Sequence, residues 1–200
     1  MLKINTMNNY LLEINKAIED SIAAKQLILN DKSLFETIGK AIALSVDSLK
    51  AGGKIWFAGN GGSAADAQHL AAELCGRFYL DRKPLPAEAL HVNSSFMTAV
   101  ANDYGYDRVY SRLIEGCAHQ GDVLFALSTS GNSANILEAA KVAQSMGVHV
   151  IAFTGKSGGK LREHCDLLLN VPSDDTPRIQ ECHIMVGHII CENIEKEMFG

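Results

Sequence analysis

The sequence lacks the features that mark several large classes of protein. No stretch of its 200 residues has 18 or more consecutive apolar residues, so we expect no membrane span and no membrane partner. The first 20 residues contain no apolar segment that could serve as the core of a signal peptide. Lys and Arg total 18 against 23 Asp and Glu, a net charge of −5, which argues against nucleic acid as a general partner. A local pocket for a small anion remains compatible with this balance.

Cysteine gives no sign of a disulfide framework or of a short zinc motif. The five cysteines are odd in number, and none forms a Cys-x-x-Cys pair. Reduced thiols are therefore expected, and with them a cytoplasmic location. The 47% hydrophobic and 20% charged residues are ordinary for a globular chain of this length, which predicts one domain over 1–200.

The order of apolar runs predicts an α/β fold behind an N-terminal helical extension. Leu11, Ile14, Ile18 and Ile22 recur at helical spacing, and a second helical pattern covers 33–49, so helices are expected within 1–52. We interpret both as packing or subunit-contact surfaces. In the α/β core, 53–200, strands are predicted at 54–58, 87–92, 122–127, 148–153 and 166–171. Helices are predicted at 64–74, 95–101, 107–118, 134–146 and 177–197. Such alternation favours a parallel sheet with helices on both faces and ligands at the carboxyl ends of its strands.

A serine-rich loop follows the third predicted strand. Residues 128–133 read Ser-Thr-Ser-Gly-Asn-Ser and precede a predicted helix. Hydroxyl donors and the unpaired N–H groups of a helix N-terminus together suit a phosphate group. Capping of that helix by Asn132 or Ser133 is the simpler alternative, but one cap explains one side chain rather than four hydroxyls. The loop therefore predicts phosphate binding.

A glycine-rich loop follows the first predicted strand. Gly59, Gly61 and Ala64 fit a variant of the dinucleotide fingerprint, but the acidic residue at the right distance, Asp81, lies in a charged stretch rather than at a strand end. A nucleotide is thus disfavoured, and a Walker motif is absent. The loop residues 60–63 are predicted to meet the hydroxyls of a small substrate, with a plain tight turn as the alternative.

Histidine and carboxylate side chains suggest a metal site. His69 and Glu73 lie one turn apart on a predicted helix, which brings them to one face. Such a pair with a histidine from another helix can hold zinc, although an exposed hydrogen bond is the simpler explanation. The last predicted helix offers further donors, and spacing leaves two choices open: Gln180 or Glu181, and His183 or His188.

Three segments together resemble a known family. They are GNGGSAADAQH after the first strand, STSGNS after the third, and a closing RIQE segment followed by a histidine. The chain resembles the sugar isomerase (SIS) domain family over essentially its whole length, and within it most closely the bacterial phosphoheptose isomerases. The resemblance implies a flavodoxin-like, five-stranded parallel sheet flanked by helices. It also implies a homotetramer with active sites at subunit interfaces.

The resemblance implies a reaction and a set of site residues. The reaction is the conversion of sedoheptulose 7-phosphate into D-glycero-D-manno-heptose 7-phosphate, a precursor of the ADP-heptose of lipopolysaccharide, through an enediol. Glu73 would be the base and His188 the partner acid. One Zn²⁺ per subunit would be held by His69, Glu73, Gln180 and His188. The substrate would be bound by Asn60, Gly61, Gly62, Glu73, Asn102, Asp103, Ser128, Thr129, Ser130, Ser133 and Gln180.

One departure and one alternative accompany the resemblance. Some members carry Asp where Pro177 precedes Arg178, and the neighbouring Asp174-Asp175-Thr176 are candidates to supply that polarity. A non-enzymatic SIS tetramer that binds the replication initiator DnaA also resembles the chain. That adaptor lacks the acid/base pair, whereas this sequence has Glu73 and His188, so the enzyme is favoured.

Overall fold

A computed structural model describes the backbone of residues 4–200 and the side chains from residue 9 onward. In this part of the chain, two initial helices are followed by five strands and five further helices. The helices are α1 Ile4–Leu29, α2 Lys32–Lys50, α3 Gly62–Cys75, α4 Ser94–Tyr104, α5 Val109–Cys117, α6 Ala134–Ser145 and α7 Thr176–Phe199. The strands are β1 Ile55–Ala58, β2 Ala87–Ala89, β3 Val123–Leu127, β4 His149–Thr154 and β5 Leu167–Asn170. Short 3-10 turns cover Tyr106–Arg108 and Gly159–Glu163.

The five strands form one parallel sheet in the order β2-β1-β3-β4-β5. This confirms the predicted flavodoxin-like arrangement. Every residue of β1 and β3 is buried, as expected of central strands covered on both faces. Two details differ from the prediction: β2 ends at Ala89, and the first residues of the predicted helix 107–118 form a 3-10 turn before α5 begins at Val109.

Alternate residues of each strand enter two separate cores. Phe57 of β1, Phe125 of β3 and Phe153 of β4 face α2, α3 and α7, with neighbouring ring centroids 5.0 and 5.9 Å apart. Trp56 and Leu124, one residue earlier on the same strands, face α4, α5 and α6. The helices that follow β1 and β3 therefore lie on opposite faces of the sheet. Neighbouring strands whose connections diverge in this way open a crevice at their carboxyl ends.

The N-terminal extension packs only in part on the core. The buried residues of α2, such as Leu34 and Ile38, belong to the core shared with α7. The predicted apolar face of α1 stays open, since Leu11, Ile14, Ile18 and Ile22 are 55–60% exposed. Within one chain this face is not used for packing, and subunit contact stays a prediction. Over residues 4–200, none of the helices is both long and apolar enough to span a bilayer.

Candidate active site

The serine-rich loop connects β3 to α6 and rests on the loop after β4. The Ser128 N–H donates to the Phe153 carbonyl oxygen, and the Ser128 and Ser133 Oγ atoms lie 3.0 Å apart. Gly131 has φ +64°, and a Cβ there would lie 2.1 Å from the Gly158 carbonyl oxygen, so only glycine permits this close approach. The two loops consequently form one wall at the carboxyl edge of the sheet.

Helix α6 begins without a side-chain cap. Ser133 occupies the N-cap position, yet its side chain makes no capping hydrogen bond. The Asn132 side chain instead donates to the Ser130 carbonyl oxygen at 2.8 Å and accepts from the Lys160 N–H at 3.1 Å. The capping alternative is therefore wrong for both residues. The helix N-terminus and the hydroxyls around it remain available for an anion.

A cleft of about 280 Å³ opens beside this loop. Thr129 and Ser130 line one side of it, and Asp174 and Thr176 at the start of α7 line another. Lys156 and Ser157, from the loop after β4, complete the polar wall, although no sequence motif marks them. Both residues follow the carboxyl end of β4, which pairs with β3, and this position in the sequence could have indicated them.

The histidine and carboxylate side chains come together between α3 and α7. The His69 and His188 Nε2 atoms lie 2.8 Å apart, and Glu73 Oε1 lies 3.2 Å from His69 Nε2. Donor atoms of all three residues lie within 4.8 Å of one another. The helices approach closely because residue 187 is glycine: a Cβ there would lie 2.5 Å from Leu70 Cδ1. Two imidazoles and a carboxylate from two helices are donors that zinc accepts.

The structure separates the residues that helical spacing left ambiguous. Gln180 lies over the glycine-rich loop, where a Cβ on Gly62 would be 2.6 Å from Gln180 Nε2. Glu181 instead accepts from Arg178 at 2.6 Å and faces Lys25 of α1 at 3.9 Å. His183 is fully buried and donates from Nε2 to the Thr154 carbonyl oxygen at 3.1 Å. Of the two histidines, His188 is the one beside His69.

The remaining predicted substrate residues lie in two different settings. Gly61 and Gly62 are exposed at the start of α3, next to half-buried Asn60. Asn102 and Asp103 lie at the end of α4, both exposed, and the Asn102 amide donates to the Asp103 carboxylate at 2.8 Å. Within the described part of the chain, the side chains of Asn102 and Asp103 form no other hydrogen bond. Within one chain, Asn60, Gly61 and Gly62 thus belong to the loops at the sheet edge. No hydrogen bond connects the side chains of Asn102 and Asp103 to those loops within the described residues.

A buried ion pair between Arg82 and Glu195 lies next to the segment after Glu73, and no sequence pattern indicated it. Glu195 of α7 accepts from Arg82 at 2.9 Å and from the N–H groups of Phe78, Tyr79 and Leu80 at 2.7–2.9 Å. Burial would raise the pKa of Glu195, but these hydrogen bonds outweigh it and lower that pKa to about 2. Arg82 also donates to the Glu73 carbonyl oxygen at 3.0 Å. The pair thereby fixes the segment that follows Glu73.

Comparisons with known proteins identify the relatives of this chain. Residues 11–155 match the model of the SIS domain family. A phosphoheptose isomerase of Mycobacterium tuberculosis is 55% identical over 181 residues, 90% of this chain and 92% of the relative. A phosphoheptose isomerase structure from Neisseria gonorrhoeae is 44% identical, with a TM-score of 0.88, and the match covers 94% and 99% of the two chains. One from Francisella tularensis is 38% identical, with a TM-score of 0.90 and coverage of 94% and 98%.

Proposed function

The chain belongs to the SIS domain family, and we propose that it is an isomerase acting on a phosphorylated heptose. The proposed reaction converts sedoheptulose 7-phosphate into D-glycero-D-manno-heptose 7-phosphate, toward the ADP-heptose of lipopolysaccharide. The observation that carries the proposal is the cluster of His69, Glu73 and His188 between α3 and α7. Helix α3 begins at the glycine-rich loop, and Gln180 of α7 lies over that loop. A phosphorylated sugar needs both an anion site and acid/base groups in one cleft.

The proposed mechanism moves one proton between two carbons. Glu73 takes the proton from C1 of the ketose, and the electron pair forms the C1–C2 double bond of an enediolate. His188 supplies a proton at the O2 oxygen and receives the one from O1 as the aldehyde forms. Glu73 returns its proton to C2, so the balance closes without an oxidant. A carboxylate has two acceptor oxygens, so Glu73 Oε1 can face His69 while Oε2 reaches the sugar.

The phosphate end of the substrate would be held at a distance from this chemistry. Ser128, Thr129, Ser130 and Ser133 supply hydroxyl donors, and the α6 N-terminus adds N–H groups and a favourable dipole. Lys156 adds a positive charge on the wall of the cleft. Binding energy at the phosphate orients the reacting carbons, which favours the transition state. Asn60, Gly61, Gly62, Asn102 and Asp103 are the proposed contacts to the sugar hydroxyls.

The donor set fits the zinc ion that the family resemblance implies. His69, Glu73 and His188 match the three protein ligands usual for catalytic zinc, and Gln180 is the proposed fourth. A bound Zn²⁺ would polarise the sugar carbonyl as a Lewis acid. Replacing His69 with Ala should lower the zinc content measured on the purified protein, whereas replacing exposed His119 with Ala should not.

We further propose a homotetramer in the cytoplasm. The open apolar face of α1 supports assembly, since contiguous exposed apolar residues mark interaction surfaces. The five cysteines are all unpaired, which suits a reducing compartment. A tetramer would allow Asn102 and Asp103 to reach the site of a neighbouring subunit.

A turnover assay tests the function. Purified protein with and without added zinc is mixed with sedoheptulose 7-phosphate, and aldose formation is followed by NMR. We expect turnover by the wild type and its loss in Glu73→Gln, which removes the base but keeps the side-chain shape. Glu197→Gln, at an exposed position of α7, is the matched control and should keep full activity. Absence of turnover in folded, zinc-loaded wild type would refute the proposal, and binding to DnaA would then be measured.

A further inference from the structure

Two asparagine side chains form a reciprocal amide pair between the glycine-rich loop and helix α6. Asn60 Nδ2 donates to Asn135 Oδ1 at 2.8 Å, and Asn135 Nδ2 donates back to Asn60 Oδ1 at 2.9 Å. Asn60 follows β1, whereas Asn135 lies in the first turn of α6 and is 3% exposed. The pair therefore joins the glycine-rich loop to the end of the serine-rich loop, across the crevice between β1 and β3.

The hydroxyl of Tyr106 is a second donor to the oxygen of the Asn60 amide, and that of Tyr110 lies close by. The Tyr110 hydroxyl lies 3.4 Å from Asn60 Oδ1 and donates to the Gly59 carbonyl oxygen at 2.6 Å. The Tyr106 hydroxyl lies 3.3 Å from the same Oδ1 atom. Burial raises the pKa of Tyr110 well above its usual value, so its hydroxyl stays a donor. An amide oxygen has two lone pairs, and here the Asn135 amide and the Tyr106 hydroxyl donate to them.

The pairing leaves one N–H hydrogen of the Asn60 amide without a partner among the described residues. Its amide nitrogen carries two hydrogens, of which one is used by Asn135. The other hydrogen has no partner among the hydrogen bonds of the described residues. Asn60 thus offers a ligand one N–H donor and no acceptor, which suits an oxygen of the sugar or of its enediolate.

We propose that Asn135 is a positioning residue that fixes the Asn60 amide as a donor toward the substrate. Without Asn135, the Asn60 amide can rotate about its last side-chain bond and present its oxygen instead. The inference rests on the proposed function, because it assigns the Asn60 N–H to the sugar of the proposed reaction. Asn135 itself acts through Asn60 and does not touch the substrate.

A double-mutant cycle tests this role. Asn60→Ala, Asn135→Ala and the double variant are compared with the wild type for kcat, KM and the affinity of sedoheptulose 7-phosphate by calorimetry. We expect Asn60→Ala and Asn135→Ala each to lose about tenfold in kcat/KM, the value of one hydrogen bond. The double variant should lose no more than Asn60→Ala alone. The division of the loss between kcat and KM should be the same in both single variants.

Several outcomes would overturn the inference while leaving the proposed function intact. The first is an active wild type with unchanged kinetics in Asn135→Ala. The second is an equal loss of kcat/KM from Asn135→Ala whether residue 60 is Asn or Ala. The third is a loss that falls on kcat in one single variant and on KM in the other. A wild type that neither binds nor converts the sugar refutes the proposed function, and this inference with it.

A second variant keeps the test valid if Asn135→Ala does not fold. Asn135→Asp keeps the acceptor for Asn60 Nδ2 and suits the first turn of a helix, but it cannot donate to Asn60 Oδ1. It should lose about tenfold in kcat/KM. Wild-type kinetics in Asn135→Asp would contradict the role of the donor. Asn193→Ala, whose amide bonds only to the Ile189 carbonyl oxygen, is the control and should keep wild-type kinetics.

Discussion

Acidification should destabilise the fold through one buried histidine. His183 is fully buried, and its Nε2 donates to the Thr154 carbonyl oxygen at 3.1 Å. Its Nδ1 atom is buried with no hydrogen-bond partner, and the Phe153 ring packs against the imidazole. Protonation would therefore place a charge and an unpaired N–H in an apolar setting. Burial lowers the pKa of His183 from 6.5 to about 4, although the Thr154 hydrogen bond opposes this.

The sign and size of the effect follow from the two pKa values. Because the folded chain has the lower pKa, the unfolded chain binds the proton more tightly. The contribution of neutral His183 to the free energy of unfolding is fully present above pH 6.5, and it is lost as the pH falls from 6.5 toward 4. The whole shift corresponds to about 3 kcal/mol, of which about 2 kcal/mol should be lost by about pH 5.

Urea unfolding at fixed protein concentration measures this contribution. The free energy of unfolding is determined for the wild type and for His183→Gln at several pH values between about 7.5 and 5. Glutamine can donate to the Thr154 carbonyl oxygen but does not titrate, so the difference between the two proteins should shrink by about 2 kcal/mol. His119→Gln, at an exposed position, should keep the wild-type slope. A wild-type-minus-variant difference that stays constant with pH would refute the reasoning.

Three further predictions concern the supports of the site. Glu195→Gln leaves Arg82 buried without its charge partner, so urea unfolding should show a loss of about 3 kcal/mol at neutral pH. The wild type should lose this advantage as the pH falls from 4.5 toward about 2, because the pKa of Glu195 is lowered in the folded chain. Gly187→Ala places a Cβ 2.5 Å from a side chain of α3, so it should lower the melting temperature and the zinc content. Gly116→Ala is the control, because open space surrounds that position, and it should change neither quantity. Ser130→Ala should raise KM about tenfold and weaken inhibition by phosphate with kcat retained, and unchanged phosphate inhibition would remove Ser130 from the anion site.

The parallel sheet could be predicted because its three central strands, β1, β3 and β4, are buried on both faces. Each of these three strands reads as a nearly continuous apolar run, and a loop rich in glycine or serine follows it. The ends of elements were harder, since Ala89 ends β2 three residues before the predicted end.

The site could be predicted as two loops but not as a set of contacts. Strand ends meet at one edge of a parallel sheet, so Gly59–Ser63 and Ser128–Ser133 had to be neighbours. Helical periodicity alone could not choose between His183 and His188. That choice depends on contacts distant in sequence, such as the bond of His183 to Thr154 and the approach of His188 to His69.

Several contacts at the site join residues that are distant in sequence, and no sequence pattern indicated them. Asn135 lies in a stretch that resembles the glycine-rich loop, yet its pairing with Asn60 spans 75 residues. The Arg82–Glu195 pair spans 113 residues and lies within otherwise ordinary charged segments. Spacing within one element carries no information about such distant pairs.

Deuterium incorporation during turnover tests the central claim most directly. The wild type converts sedoheptulose 7-phosphate in D₂O, and the C2 position of the aldose product is examined by NMR. Proton transfer by Glu73 through an enediol predicts deuterium at C2, because the carboxyl proton exchanges with solvent before it returns. Glu73→Gln should form neither product nor labelled substrate. Product formed entirely without deuterium would indicate direct hydrogen transfer between the carbons and would contradict the account.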